Sequence, residues 1–515
     1  MIDLIIVVSY FLIVFATAIS GRQKGDVSVE EYFLSSRSLR WPSIAFSTIA
    51  TNVQGYQFLG MMGSAYLYGL AQASLEINAV QGILMGAFIF VPIYLRDKVI
   101  TITQFIKTRL GSTVGLIYSI SNIVLFSTIT LGAALFWGAY AADIVFAEYL
   151  QFIHEDRLIR IAILVIGLGA FSAIYTYFGG LTAVVKTDVI QFLILFTGGV
   201  VVMFTAVHHL GGWSELYGAR TGHLMHLHLP ADHETLPWIH IFGLFLLNIN
   251  YWCANQSVVQ RSLAAKSLKD AQIGLMVGGL MKYILAAIIV IPGIALVGIL
   301  GENGLEDPDM TFPYLVSNYL PIGVKGLILC ALFASLMSTV DSTFNSIATL
   351  WSIDIYKEYV NRGASDRQVV QTGKLAILLS FVSGTLLGIV LLYIKFQDTG
   401  AAFTHTLNEL RYYINCGIVV LSCAAVFLIN PKPKISLLAF LLTIPLQFLF
   451  KGFFPEMNYF VRAMWVILSG FTILWAFSRT KFYPWSTLMH PDSRSISYLG
   501  FSMLISLVLL HVVFH

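Results

Sequence analysis

Charged residues are scarce in this chain, and long polar segments are absent from it. Asp, Glu, Lys and Arg make up 11% of the 515 residues, whereas soluble domains carry about 25%. Hydrophobic residues make up 57%, and apolar stretches of 18 or more residues recur from end to end. Each of these stretches is long enough to cross a hydrocarbon layer about 30 Å thick. The composition excludes a soluble globular protein and predicts an all-α polytopic membrane protein embedded in lipid.

Other absences exclude further classes of protein. The chain has only four cysteines, all in apolar segments, which favours free buried thiols over a disulfide framework or a metal site. It has no basic run interleaved with aromatic residues, so a nucleic-acid partner is not expected. The motifs HExxH, P-loop and GxSxG with partner residues are also missing. The protein is therefore not expected to be an enzyme.

The amino terminus looks at first like a signal peptide. An apolar run ends in Ala16-Thr17-Ala18, but Asp3 stands where a basic region would be needed. We therefore interpret residues 2–20 as a first membrane span that is retained in the protein.

Apolar segments predict about fourteen membrane-spanning helices. They lie near 2–20, 43–63, 69–95, 113–147, 158–178, 181–207, 236–254, 271–300, 322–353, 373–395, 399–429, 435–452, 459–478 and 495–514. The segment 100–110 has the pattern of an interfacial amphipathic helix.

The distribution of Lys and Arg predicts how the chain crosses the membrane. With both termini outside, the inner loops hold about three times as many basic residues as the outer loops, as the positive-inside rule requires. We expect a multi-pass protein of the cell membrane. The predicted division is a peripheral helix and inner loop (1–42), a first five-helix repeat (43–207), an outer loop (208–235), a second five-helix repeat (236–430) and peripheral carboxyl-terminal helices (431–515).

The predicted outer loop is rich in histidine, with His223, His226, His228 and His233. A metal site is conceivable there. A solvated loop is the simpler interpretation and is the one we adopt.

Polar residues interrupt two of the predicted spans. The second span reads STIATNVQGYQFLG (47–60) and contains Asn52 and Gln57, and the seventh reads LLNINYWCANQ (246–256) and contains Asn248. Such interruptions are typical of discontinuous helices whose freed backbone groups line a cavity. The two lie five spans apart, and a repeated unit of five helices must be inverted in the membrane. Ordinary hydrogen bonding between helices is the alternative.

Two charged residues stand alone in apolar surroundings. Glu76 lies in the third span and Lys282 in the eighth, and each is costly to place in a membrane, by about 2.5–3.5 kcal/mol. A structural ion pair between them is one interpretation. Together with Gln57 and Asn248 they also form a good donor and acceptor set for several hydroxyl groups, and Tyr251 adds a flat face for a sugar ring.

The ninth predicted span contains SLMSTVDSTFNS (335–346), which is rich in oxygen. At 100° per residue, Ser335, Ser338, Thr339 and Ser342 fall on one face. Hydroxyls that bond back to the preceding turn are one explanation. An oxygen cluster without His or Cys also suits a hard cation, and its low charge favours a monovalent ion. Asp188 could approach the same face.

These stretches identify the chain as resembling the sodium:solute symporter family, and its sugar branch in particular. The resemblance is densest in EEYFL (30–34), ATNVQGYQFLGM (50–61), YFGGLTAVVKTDVIQ (177–191), YWCANQSVVQRSLAAKSLKDAQ (251–272) and LPIGVKGLILCALFASLMSTVDSTFNSIATLWSIDIYKEY (320–359). It implies about fourteen transmembrane helices around a LeuT-like core of two inverted five-helix repeats with discontinuous helices. It also implies a Na⁺-coupled symporter that imports a sugar or polyol.

The resemblance assigns roles to individual residues. It places the solute at Gln57, Glu76, Asn248, Lys282, Tyr251, Trp252, Asn52 and Asn408. It places the main Na⁺ at the backbone carbonyls of Ala50, Val53 and Ser335 and the hydroxyls of Ser338 and Thr339. A second Na⁺, present in some members, would lie at Asp188, Asp341 and Ser342.

Two departures keep alternatives open. Asn408 and Arg411 stand where the family pattern has a glutamine and a small polar residue, so a carboxylate-bearing solute such as an acidic sugar is an alternative to a neutral one. Asp341 stands where a hydroxyl is expected, and because Asp188 and Asp341 could titrate, proton coupling is also an alternative. A transporter-like sensor is a further alternative, although no signalling domain is appended.

Overall fold

The structure, a computed structural model, describes residues 2–20, 27–55, 57–301, 303–397 and 403–515, with side chains from 409 onward in the last range. Within these ranges the chain forms helices and no strand, apart from three isolated β-bridges. This agrees with the all-α class predicted from composition.

The α-helices and π-helical turns follow one another along the chain, and the longest connection is residues 211–239, between the eleventh and twelfth α-helices. The α-helices are α1 (Ile2–Ser20), α2 (Val29–Leu34), α3 (Trp41–Asn52), α4 (Met62–Tyr68), α5 (Ser74–Ile77), α6 (Ala79–Met85), α7 (Val91–Arg96), α8 (Ile102–Leu110), α9 (Ser112–Leu125), α10 (Leu131–Leu150), α11 (Arg157–Leu210), α12 (His240–Ile249), α13 (Gln256–Leu263), α14 (Leu268–Leu300), α15 (Thr311–Tyr319), α16 (Val324–Thr349), α17 (Asp366–Gln397), α18 (Phe403–Phe427), α19 (Pro433–Phe453), α20 (Tyr459–Ser478) and α21 (Arg494–Val513). The π-helical turns are Gln57–Met61, Gly86–Phe90, Phe126–Thr130, Asn250–Ala254 and Leu350–Val360.

Eleven helices among the described residues are long and apolar enough to cross a membrane. The predicted count of fourteen is therefore not confirmed, and the two counts differ at three places. After α3, the rest of the second predicted span is continuous with the third, in one helical stretch from Gln57 to Arg96. The fifth and sixth predicted spans form the single helix α11. Helix α12, in the seventh predicted span, has only 10 residues and is too short to count. The protein is nevertheless a multi-pass membrane protein by the number and length of its apolar helices.

The long helix α11 bends at Gly180. Its 54 residues would extend about 80 Å if straight, far more than a bilayer core. Gly180 has φ 54° and ψ −148°, and a Cβ atom there would lie 2.4 Å from the carbonyl oxygen of Tyr32. A residue with a side chain would be strained in this conformation and would clash with Tyr32. Glycine thus allows the helix to bend against the segment that precedes α3.

Burial separates a core from a periphery. The apolar window of Val324–Val360 is 94% buried, whereas the windows of α1 and α21 are each 22% buried. Exposed apolar side chains on α1 and α21 face what would be lipid in a membrane. The oxygen-rich helix α16 therefore lies at the centre of the bundle, where polar groups must be satisfied by protein.

Two helices are interrupted in the same way. Helix α3 is followed by Val53, with φ −79° and ψ 117°, and the π-helical turn Asn250–Ala254 is followed by Asn255, with φ −87° and ψ 115°. Both residues are extended, and helix resumes within a few residues of each. These are the two interruptions predicted from the polar residues of the second and seventh spans.

Candidate functional site

The first interruption directs backbone carbonyls at α16. The Ser335 hydroxyl donates to the Val53 carbonyl at 3.0 Å, and the Ser338 hydroxyl donates to the Ala50 carbonyl at 2.8 Å. The Thr339 hydroxyl lies 3.3 Å from the Ser335 carbonyl. Four of these residues are almost completely buried and Thr339 is 3% exposed.

The five predicted sodium-ligand positions are thus brought together. We call the two carbonyls of the broken helix, the Ser335 carbonyl and the hydroxyls of Ser338 and Thr339 the oxygen set. All five groups are neutral oxygens, which are the ligand type that hard cations prefer. Because each hydroxyl can exchange its present carbonyl acceptor for an ion, the arrangement can hold a monovalent cation between two helices and release it again.

A second cluster joins residues that flank the same interruption to Glu76 and Lys282. Lys282 on α14 forms an ion pair with the Glu76 carboxylate and donates to Asn52 Oδ1 at 2.5 Å. Gln57 Nε2 donates to Glu76 Oε1 at 2.7 Å, and the amide oxygen of Gln57 accepts from the backbone of Gln54 at 2.7 Å. We call Asn52, Gln57, Glu76 and Lys282 the solute cluster.

The solute cluster is buried and internally satisfied. Gln57 and Lys282 are each 1% exposed, and Glu76 is 4% exposed. Removal of one partner from a buried ion pair typically costs about 3–5 kcal/mol, because the other charge is left uncompensated. Any molecule that separated these side chains would have to replace their contacts with donors and acceptors of its own.

Asn248 joins the site through Asn78. Its amide donates to the Asn78 carbonyl at 3.0 Å, two residues beyond Glu76. Helices α6 and α12 approach closely here, since a Cβ atom on Gly82 would lie 2.7 Å from the Asn248 carbonyl oxygen. Glycine at 82 therefore permits Asn248 to reach the span that carries Glu76.

The two predicted aromatic residues flank the solute cluster. The ring of Trp252 lies 5.9 Å from the Lys282 ammonium, and its centroid is 5.1 Å from that of Tyr251. Trp252 is 1% exposed, whereas Tyr251 is partly exposed. Tyr251 is thus the more accessible of the two rings.

A third cluster surrounds Asp188, and it contains an unexpected cation. Arg261 Nη2 lies 3.0 Å from Asp188 Oδ2 and also contacts the Ser342 hydroxyl. Arg261 Nε donates to the Ser47 hydroxyl at 2.7 Å, and that hydroxyl donates to Asp188 at 2.5 Å. The guanidinium thus lies between Asp188 and Ser342, two of the three residues predicted to hold a second ion.

The third residue of that predicted set points elsewhere. Asp341 Oδ2 accepts a hydrogen bond of 2.5 Å from the Tyr175 hydroxyl, and Asp341 Oδ1 lies 3.3 Å from the Ser342 hydroxyl. Asp188 Oδ1 is buried without a hydrogen-bond partner among the described residues. The three predicted residues are therefore neighbours, but Arg261 and Tyr175 already occupy part of their bonding capacity.

Arg261 is the residue at the candidate site that sequence reasoning missed. Its position after the seventh span placed it among the basic residues of an inner loop, yet it is 1% exposed. Helix α13, which carries it, is buried along its whole length despite five polar residues in eight. That polar segment immediately after a broken span was the available signal, because buried polar helices require polar partners.

Two other predicted features have different outcomes. The side chain of Asn408 lies outside the described residues, so its predicted role is not tested. Among the residues that the structure describes, no three His, Cys, Asp or Glu side chains are grouped to hold a metal.

The fold defines the class of protein. The structure matches a Na⁺-coupled sialic acid symporter with a TM-score of 0.79 and 19% identity, covering 93% of this chain and 98% of that one. It also matches a nucleobase-cation-symport-1 family transporter with a TM-score of 0.52 and 14% identity, covering 93% and 99%. The architecture is the LeuT-like fold of secondary transporters, with discontinuous helices around a central site.

The family follows from sequence. The model of the sodium:solute symporter family matches residues 32–409, and the chain belongs to that family. A sodium/glucose cotransporter of Vibrio parahaemolyticus is 30% identical, over 100% of this chain and 98% of its own length. Mouse sodium/glucose cotransporter 4 and rabbit sodium/myo-inositol cotransporter 2 are each 31% identical, and the matches span 65% and 59% of those proteins. The protein is a sodium-coupled transporter of a small solute and not an enzyme.

Proposed function

We propose that the protein imports a neutral polyhydroxyl solute, a sugar or polyol, together with Na⁺. The solute cluster carries this proposal, because a carboxylate, an ammonium and two amides converge within hydrogen-bonding distance of one another. Such a set can both donate to and accept from adjacent hydroxyls. The names of the glucose and myo-inositol cotransporters among the relatives support the same class of solute.

We propose that the oxygen set is the main Na⁺ site. Its ligands come from α3 and α16, so an ion there would hold these two helices together. Because α3 leads directly to Gln57, the same ion would favour the arrangement that binds solute. A ligand shifts an equilibrium only by its preference for one state, and this geometry supplies that preference for the solute-binding state.

The contacts around Asp188, Asp341 and Ser342, the predicted second Na⁺ site, favour a stoichiometry of one Na⁺ for each solute. Arg261 lies between Asp188 and Ser342 and provides the positive charge that a second ion would otherwise provide. A second ion at this place would require the buried guanidinium to leave. We therefore propose that Asp188 and Arg261 form a structural pair, and that Asp341 is held by Tyr175.

An acidic solute is the second candidate. Helix α18, which carries Arg411, packs against the turn Asn250–Ala254, which carries Tyr251. A guanidinium beside the solute face would suit a carboxylate. Competition of uptake by uronates or sialic acid, compared with neutral sugars, separates the two candidates.

The topology is also part of the proposal. We propose a cell-membrane protein with both termini outside and with two inverted repeats over 43–207 and 236–430. The matched backbone angles of Val53 and Asn255 support the repeats, and the distribution of Lys and Arg supports the orientation. Labelling of single cysteines in residues 208–235 from outside intact cells would test the orientation.

Uptake into proteoliposomes tests the function directly. Labelled glucose and myo-inositol are offered with an inward Na⁺ gradient or with choline at fixed pH. One Na⁺ driven by a tenfold gradient and 100 mV provides about 3.7 kcal/mol, or about 500-fold accumulation. Uptake of either solute that depends on Na⁺ is expected, and equal uptake in choline would overturn the sodium assignment.

A further inference from the structure

A histidine pair connects the last helix to the solute-binding region. On α21, His511 Nδ1 lies 3.1 Å from His228 Nε2, and His511 Nε2 lies 3.2 Å from Asn78 Oδ1. The two rings stack with their centroids 5.1 Å apart. Three segments that are distant in sequence therefore meet at the imidazole of His511.

Hydrogen-bond chemistry determines which nitrogens carry protons. The Asn78 amide nitrogen donates to the Ser74 carbonyl at 2.9 Å, so Asn78 Oδ1 is an acceptor, and it accepts from both Gln81 Nε2, at 2.9 Å, and His511 Nε2. A neutral His511 then accepts at Nδ1, and His228 donates from Nε2. His228 Nδ1 is left with a lone pair, and it is buried without a partner among the described residues.

The pair acts on the solute site through Asn78. This residue is fully buried, lies two positions beyond Glu76 and accepts the Asn248 amide at its carbonyl. We propose that His511 is a positioning residue for solute binding, and that the His228–His511 pair holds Asn78 most firmly while both rings are neutral, because a charged ring is disfavoured in this partly buried contact. Acid therefore weakens solute binding by loosening α21 from the third span. This inference rests on the proposed assignment of Asn248 to the solute site.

The surroundings determine the direction of the pH effect. The ring of His515 lies 5.0 Å from that of His228, and His226 Nδ1 lies 2.8 Å from the His515 carbonyl. His240 at the start of α12 contacts the Ser74 hydroxyl at 2.9 Å, four residues before Asn78, and the carboxylate of Glu76 on the third span is already paired with Lys282.

Burial, together with the neighbouring His515, lowers the pKa of His228 below its ordinary value. The contact between His228 and His511 is therefore most stable when the rings are neutral. Its contribution to stability is fully present above about pH 6.5, the ordinary pKa of histidine, and is lost as the pH falls below that value.

Binding measurements on the purified full-length protein test the proposal. Na⁺-dependent binding of glucose and of myo-inositol is measured at pH 7.5, 6.5 and 5.5 in detergent, where both faces share one pH. The Kd of the parent is expected to rise about fivefold from pH 7.5 to 5.5, where an ordinary histidine is about 90% protonated.

Three variants separate positioning from general damage. His511→Gln keeps a donor near the place of Nε2 without titrating, so its Kd should stay near the parent value at pH 7.5 throughout. His511→Leu should bind severalfold more weakly at every pH, with a flat profile. His223→Gln, at an exposed histidine of the same segment, should keep the parent profile. A His511→Gln variant with the parent's pH profile, or a His511→Leu variant that binds like the parent, would overturn the proposal.

A second measurement does not depend on the solute. The melting temperature of the solute-free protein in Na⁺ should fall from pH 7.5 to 5.5 by more in the parent than in His511→Gln. If neither solute binds at any pH, the proposed solute class is wrong, and the melting temperatures alone decide the histidine proposal. If a solute binds with a Kd that is constant with pH in the parent, the solute class stands and the histidine proposal fails.

Discussion

The two helix interruptions, at Val53 and at Asn255, have nearly the same backbone angles, but different kinds of side chain donate to their free carbonyls. At the first, the freed carbonyls of Ala50 and Val53 accept from serine hydroxyls on α16. At the second, the carbonyls of Cys253 and Ala254 accept from the hydroxyls of Tyr94 and Tyr118, at 2.9 and 3.0 Å. All the groups involved are buried.

The difference lies in the groups that satisfy the carbonyls. Serine and threonine hydroxyls rotate freely and can accept an ion as readily as they donate to a carbonyl, whereas a buried tyrosine is held by the packing of its ring. We infer that the first interruption is an exchangeable ion site and that the second is closed. A repeated backbone feature can thus serve two purposes, according to the side chains opposite it.

The largest effect on transport is expected from substitutions in the oxygen set. The double change Ser338→Ala and Thr339→Ala removes both hydroxyls of the oxygen set while leaving the carbonyls in place. Na⁺-dependent uptake should fall to the level seen in choline, because the ion loses two ligands. Normal Na⁺-dependent uptake by the double variant would remove the distinction between the two interruptions.

A substitution in the solute cluster should weaken solute binding much more than Na⁺ binding. Lys282→Ala leaves Glu76 without its cation, and solute affinity should fall by about 100-fold, equivalent to 2.7 kcal/mol. Na⁺ affinity, measured by sodium-induced stabilisation against heat, should change by less than about threefold. Equal losses for both ligands would mean that the oxygen set and the solute cluster are not separable.

The third cluster provides a test of ion number. With Arg261 between Asp188 and Ser342, the Hill coefficient for Na⁺ should be near one in the parent and in Asp341→Asn. A coefficient near two in the parent that falls to one in Asp341→Asn would instead establish a second ion site there.

The closed interruption should give the smallest effect. Tyr118→Phe removes the hydroxyl that satisfies the Ala254 carbonyl, which costs about 1–3 kcal/mol for an unsatisfied buried acceptor. The melting temperature should fall by a few degrees, while the Na⁺ dependence of uptake stays that of the parent. A changed Na⁺ dependence would show that the second interruption also takes part in ion binding.

The membrane class, the two interrupted spans and the residues of both clusters were predictable from sequence. Apolar length reports directly on a bilayer, and Glu76, Lys282 and the hydroxyl face of α16 are conspicuous in apolar surroundings. The predicted members of the oxygen set lie within two short segments of the chain. Helical periodicity was enough to place the side chains of Ser335, Ser338 and Thr339 on one face, whereas the carbonyls of Ala50 and Val53 were implied by the resemblance to the family.

The roles of Arg261 and His511 were decided only by tertiary structure. Arg261 looked like a loop cation because position along the chain carries no information about whether a short helix folds back into the bundle. His511 looked like part of a peripheral helix, and its contact with Asn78 joins positions 433 residues apart. Pairings between distant segments depend on how helices pack, and hydrophobic periodicity specifies only which face of a helix is buried.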